Sequence, residues 1–245
     1  MKNKYRFFYL GVFLQVILIQ FSTHHYETLD WDINAFLVTS LEFGRGNLPY
    51  EFQYENKPPL LFLIFFIFSQ ISQESILLIK IINDLIVFLL SVSLIKLFSN
   101  KSFSLWNFMP GLTFVALTSN VWFHPNYSEY LLIVFVVASN FLYQKSNNKY
   151  KYIYIGILLA FSTLVNLGAI VFMLSYIVII YIKEQNILTK LRNLFFGFTL
   201  IHFLTGAIYF TGAISVILFG IYWDRASSSG AIASLLGGLT AIIGL

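Results

Sequence analysis

The sequence predicts an all-α, polytopic transmembrane helix bundle with interfacial helices in its first external loop, and three observations predict it. Of 245 residues, 58% are hydrophobic and only 11% charged, and the mean hydropathy is +0.77, outside the range of soluble domains. Apolar runs approaching the roughly 20 residues that a span requires alternate with short basic clusters. After the first run comes a polar stretch holding both carboxylates and an ammonium, and charge beside hydrocarbon marks a site for ions or substrate. The net charge of +4 is no nucleic-acid footprint, because the basic residues sit between apolar segments instead of along one face. With no cysteine, disulfides and thiolate metal sites are excluded.

Six spans are predicted, at 7–22, 75–98, 103–121, 129–143, 194–211 and 231–245. The first follows Lys2, Lys4 and Arg6 and runs into Thr23-His24-His25 without a small-residue cleavage pattern, so it reads as a retained signal anchor. The remaining basic clusters are Lys96 and Lys101; Lys145, Lys149 and Lys151; and Lys183, Lys190 and Arg192. Placing all of them in the cytoplasm puts 23–74, 122–128 and 212–230 on the other side, together with almost every acid. The expected location is thus the plasma membrane, multi-pass, with the N-terminus cytoplasmic.

That parity requires 58–73 not to cross, and a run of about 14 residues suits an interfacial or re-entrant helix. Segment 31–44 is amphipathic: Trp31, Ile33, Phe36, Leu37 and Leu41 recur at helical spacing, while Asp32, Thr39, Ser40 and Glu42 fall on other faces. It is expected to lie flat on the outer surface and to end at Gly44-Arg45-Gly46-Asn47. The stretch 152–182 has basic flanks on both sides and predicts a helical hairpin turning at Asn166-Leu167-Gly168, where the Asn amide serves freed backbone groups. A third interfacial element is expected at 212–223, closed by Asp224-Arg225. Nothing in the sequence divides 1–245 into two domains.

The order Asp30, Ala35, amphipathic helix, Gly46, Pro49 and Tyr54-Glu55-Asn56-Lys57-Pro58-Pro59-Leu60 resembles the first external loop of GT-C glycosyltransferases, especially the lipid A aminoarabinose transferases and protein O-mannosyltransferases. The resemblance implies a GT-C-type module and an inverting transfer of sugar from a polyprenyl-phosphate carrier to a lipid, glycan or protein acceptor, on the non-cytoplasmic face. It implies Asp30 as the base for the acceptor hydroxyl and Lys57 as the partner of the departing phosphate, with Arg225 as a second phosphate ligand. Glu55 belongs to the same substrate-binding element. Asp32 and Glu129 would orient the acceptor or offset positive charge on the sugar ring. Many members carry adjacent acids where this chain has Asp30-Trp31-Asp32, so Asp32 is also a candidate base, and many carry Lys-Gly at the hairpin where this chain has Asn166-Leu167-Gly168. Members continue beyond the position of Leu245, so a truncated chain is expected. The cofactor is left open: a divalent metal is compatible with this chemistry but not supported by the sequence.

Each of these residues also has a plainer reading. Asp30 is an N-cap, Lys57 a snorkelling anchor, Lys-Pro-Pro a helix start, and Lys80 with Asp84 an intrahelical pair one turn apart. His202, alone among apolar residues, reads as a buried polar contact. The rival functions are a secondary transporter or flippase subunit, which would place its charges near the midplane in paired repeats, and a non-catalytic membrane scaffold.

Overall fold

The computed structural model describes residues 8–18, 31–45, 57–72, 75–98, 105–118 and 128–222, with backbone alone at 31, 32, 43, 44, 76, 105 and 207–222. Among them the chain is all helical: α1 (Phe8–Leu18), α2 (Trp31–Gly44), α3 (Pro59–Ser72), α4 (Ile76–Phe98), a 3-10 turn (Leu105–Phe108) leading into α5 (Met109–Thr118), α6 (Ser128–Lys145), α7 (Lys151–Val165), α8 (Ile170–Lys183) and α9 (Ile187–Tyr222). Two segments, Leu77–Phe98 and Ile187–Gly206, are long and apolar enough by themselves to cross a membrane.

Contacts between helices fix their directions. Ser91 Oγ donates to the Gly111 carbonyl at 2.9 Å, and Val87 shares a cluster with Val115, so α4 and α5 run antiparallel. Phe8 stacks on Phe108 at 4.3 Å and Phe13 meets Phe88 edge-on at 5.4 Å, which sets α1 antiparallel to α4. Early α6 lies beside late α7, since Ser162 Oγ donates to the Leu132 carbonyl at 3.2 Å.

The expected hairpin is present. Asn166 breaks the helix at φ −152, ψ 125, and its side-chain oxygen accepts from the Gly168 N–H at 2.8 Å, so the amide replaces a backbone partner in the turn. α8 then returns along α7, placing Tyr176 and Ile180 in one cluster with Tyr152 and Ile155. Asn186, at φ 55, reverses the chain again into α9; Asn tolerates this left-handed conformation better than most residues.

α9 runs parallel to α7 and touches it closely. A Cβ added at Gly156 would collide with the backbone of Leu194 and Phe198, and one at Gly197 with the backbone of Ile153. Small residues that let two backbones meet are the membrane-bundle way of associating helices, because lipid removes the hydrophobic drive between them. Farther along the same pair, His202 Nε2 and Thr163 Oγ1 lie 2.9 Å apart, the polar contact expected of a lone His.

Two expectations are corrected. The third interfacial element at 212–223 is not a separate helix, since α9 continues unbroken through Tyr222. Gly206, Gly212 and Gly220 each weaken a helix by about 1 kcal/mol without ending it, and the segment has no proline. In α2 the faces divide differently from the reading above: Ile33 and Phe36 are buried, but so are Thr39 and Ser40, while Val38 is exposed. The hydroxyls are satisfied inside the helix, Thr39 on the Ala35 carbonyl at 2.9 Å and Ser40 on that of Phe36 at 2.5 Å, which removes the cost of burying them.

Candidate functional site

The bundle has two chemically distinct ends. At one, the Asn166 turn meets the start of α6, and α2 and α3 pack over them: Phe36, Phe62 and Phe65 form one cluster with Leu131, Leu132 and Val165. Phe36 is the hinge of this packing, edge-on to Phe65 at 5.5 Å and to Phe62 at 6.4 Å; such pairs add about 0.5–1.5 kcal/mol beyond burial.

α3 begins where Lys-Pro-Pro predicts, with Pro59 as its first residue, a position that needs no N–H donor. Lys57 stands just before it, half-buried, with Nζ 6.0 Å from the centre of the Phe36 ring. An ammonium here sits near the positive end of the α3 dipole. Phe36 is in the second turn of α2, so the cation lies beside the N-terminal half of the helix that begins at Trp31.

Glu129 is in the first turn of α6, where the helix dipole favours a carboxylate. Its Oε1 accepts from Asn166 Nδ2 at 2.9 Å and its Oε2 from Ser128 Oγ at 3.2 Å, and Asn166 Nδ2 also donates to Ser128 Oγ at 2.8 Å. Through Oε1 Glu129 therefore clamps α6 to the α7–α8 turn, while Oε2 accepts from its own neighbour Ser128.

Of the residues singled out from sequence, Lys57 and Glu129 belong to this end. Asp32 falls in the first turn of α2, with its side chain outside the described residues. Asp30, Glu55 and Arg225 lie outside the described residues altogether, as do the His24-His25 pair and the polar stretch around His124.

Asn83 was not singled out from sequence. It is 3% exposed and its Oδ1 has no hydrogen-bond partner, an uncommon state for a buried amide. Lys80, one turn earlier, is also buried, and Asp84 is half-buried. Its signal in the sequence is an amide interrupting the apolar run of α4 between Lys80 and Asp84.

The opposite end carries a second network. Glu184, between α8 and α9, accepts from Lys190 Nζ at 2.5 Å and from the Tyr143 hydroxyl at 3.0 Å. The Lys190 hydrogen bond, with smaller help from the tyrosines and against some desolvation, holds its carboxyl down to about 2. The Tyr152 hydroxyl faces the same carboxylate without reaching ordinary hydrogen-bond geometry. Lys151 Nζ lies 5.1 Å from both the Tyr143 and Tyr152 rings and donates to the Tyr143 carbonyl at 3.4 Å, capping the end of α6. No group of three His, Asp or Glu side chains suited to a metal occurs among the described residues.

Comparison with family models, with curated protein sequences and with solved structures finds no match for this chain.

Proposed function

We propose that this chain is a multi-pass membrane glycosyltransferase of the GT-C kind, moving a sugar from a polyprenyl-phosphate carrier to a lipid, glycan or protein acceptor on the non-cytoplasmic face. The observation that carries this reading is the seating of Lys57 over Phe36: the cation preceding α3 stands beside the N-terminal half of α2, the helix that carries Asp32 and that Asp30 precedes in the sequence. The order of these residues in the sequence supports it further, as does the packing of the α2–α3 pair on the end that carries Glu129 and not on the basic end. Alternating helix directions, with basic residues gathered at one end, are in keeping with an N-terminus in the cytoplasm. At 14 residues α3 measures about 21 Å, short of a hydrocarbon core of roughly 30 Å.

In this mechanism the carboxylate of Asp30, or of Asp32, takes the proton of the acceptor hydroxyl. The acceptor oxygen attacks the anomeric carbon from the face opposite the phosphate, the glycosidic C–O bond to phosphate breaks, and configuration inverts. Lys57 stabilises the negative charge gathering on the departing phosphate oxygen, the step at which a preorganised cation has most effect. Glu129 serves by holding the α6–turn junction behind the site, a narrower role than orienting the acceptor.

The test is turnover of the full chain in membranes supplied with labelled polyprenyl-phosphate sugars. Lys57→Ala should lose on the order of 10²–10³ in turnover. Asp30→Asn, which keeps the capping ability of an Asp, should lose at least ~10²-fold. Normal turnover by Lys57→Ala, or by both Asp30→Asn and Asp32→Asn, would rule the mechanism out.

A further inference from the structure

We infer that the end of the bundle formed by the α6–α7 and α8–α9 connections is a binding surface for anionic phospholipid headgroups. The inference rests on the membrane part of the reading above and not on sugar transfer.

Charge is the first ground. Lys145, Lys149, Lys151, Lys183, Lys190 and Arg192 all fall at this end, and Glu184 is the sole carboxylate between Glu129 and Asp224. That carboxylate is consumed internally: Lys190 and Tyr143 occupy its two oxygens, and its depressed pKa keeps the pair ionised throughout the neutral range. The fold thus neutralises one cation with the one acid and leaves Lys145, Lys149, Lys183 and Arg192 exposed to solvent. Four or more such cations beside apolar helices attract anionic lipid at about fivefold in affinity each.

The surroundings of these cations decide between a lipid and another polyanion. Leu188 is 83% exposed, Tyr181 72% and Ile182 71%, all within a few residues of Lys183 and Arg192. Phe195 and Phe196 continue the exposed apolar surface along α9. Large side chains left uncovered directly beside cations suit the acyl–headgroup boundary, where tyrosines and basic residues gather, whereas a nucleic acid would leave them in water. Lys149 lies over the exposed Tyr150 ring at 4.8 Å, presenting an aromatic and a cation together in the α6–α7 connection.

The experiment uses the full chain, purified in neutral detergent, with phosphatidylglycerol or phosphatidylcholine added and bound lipid counted by native mass spectrometry. Phosphatidylglycerol should be retained at least ~10²-fold better, and the preference should shrink as salt rises through the range in which exposed charges are screened. K145Q/K149Q/K183Q should lose about 10²-fold in that preference, whereas Arg45→Gln, at the far end of α2, should keep it. Equal retention of the two lipids by the unaltered chain overturns the inference, and that comparison needs no variant to fold. A triple variant that keeps the full preference overturns it too, as does an Arg45→Gln loss of the same size or equal displacement of the lipid by inorganic phosphate. None of these readouts involves sugar transfer. Whether the chain resists alkaline carbonate extraction from membranes reports separately on the bilayer reading.

Discussion

Asn166 donates from Nδ2 to Glu129 Oε1 at 2.9 Å, joining the turn between α7 and α8 to the first turn of α6 across 37 residues of sequence. The same amide donates to Ser128 Oγ and, through its oxygen, accepts from the Gly168 N–H. One side chain thereby closes the hairpin and anchors it to its neighbour.

Asn166→Ala should therefore lower stability by about 1–2 kcal/mol, the loss expected for hydrogen bonds to a carboxylate at a partly solvated site. Asn166→Asp should cost more, since it sets a second carboxylate against Glu129. Thermal unfolding in detergent measures both. An Asp variant as stable as the parent would mean that the clamp contributes nothing.

At the α7–α9 crossing, Gly197→Leu should destabilise the bundle by about 3 kcal/mol or more, because the atoms in its way belong to the Ile153 backbone and cannot rotate aside. Gly11→Ala is the matched comparison. Nothing lies within 4 Å of its added methyl, so that variant should be neutral or gain up to about 1 kcal/mol from better helix propensity. Unfolding midpoints of the two variants, measured side by side, separate packing from propensity.

The Glu184 carboxyl is depressed from 4.5 to about 2 in the folded chain, chiefly by Lys190. A depressed acid binds more protons when unfolded, so its contribution to stability is complete above about pH 4.5 and is lost as pH falls toward 2. Glu184→Gln should flatten the stability profile within that window and leave the slope at neutral pH unchanged. Unfolding midpoints at several acidic pH values test this, and an unaltered acid limb in the variant would assign the pH dependence to other groups.

Single cysteines at Asn47 and Gln73 should both react with an impermeant thiol reagent applied outside intact cells, and one at Asn148 should react only after permeabilisation. This follows from the proposed orientation, in which the basic clusters face the cytoplasm and the 14-residue α3 does not cross. Access to Gln73 from the cytoplasm alone would make α3 a span and overturn the proposed orientation.

Much of this architecture was legible from local chemistry. Gly44 ends α2, Pro59 opens α3, and Asn166-Leu167-Gly168 reverses the chain between α7 and α8, because caps, prolines and turn amides act on their immediate neighbours whatever the rest of the fold does. The extent of α9 was less legible: a separate interfacial element was expected at 212–223, yet helix propagation carries unbroken to Tyr222.

Local chemistry could not say which side chains meet. Thr39 and Ser40 are buried in a helix that packs on α3, and each hydroxyl bonds back to its own helix. The same holds for the clamp role of Glu129, the crossing of Gly156 and Gly197, and the Asn83 Oδ1 left without a hydrogen-bond partner. The sequence by itself determined an apolar helical chain, the starts and stops of several helices, and the segregation of its cations from most of its acids, all properties of composition and near neighbours. Only the tertiary structure decided which carboxylates are spent on holding helices together, because a hydrogen bond between residues 37 positions apart exists only after the helices between them have chosen their directions.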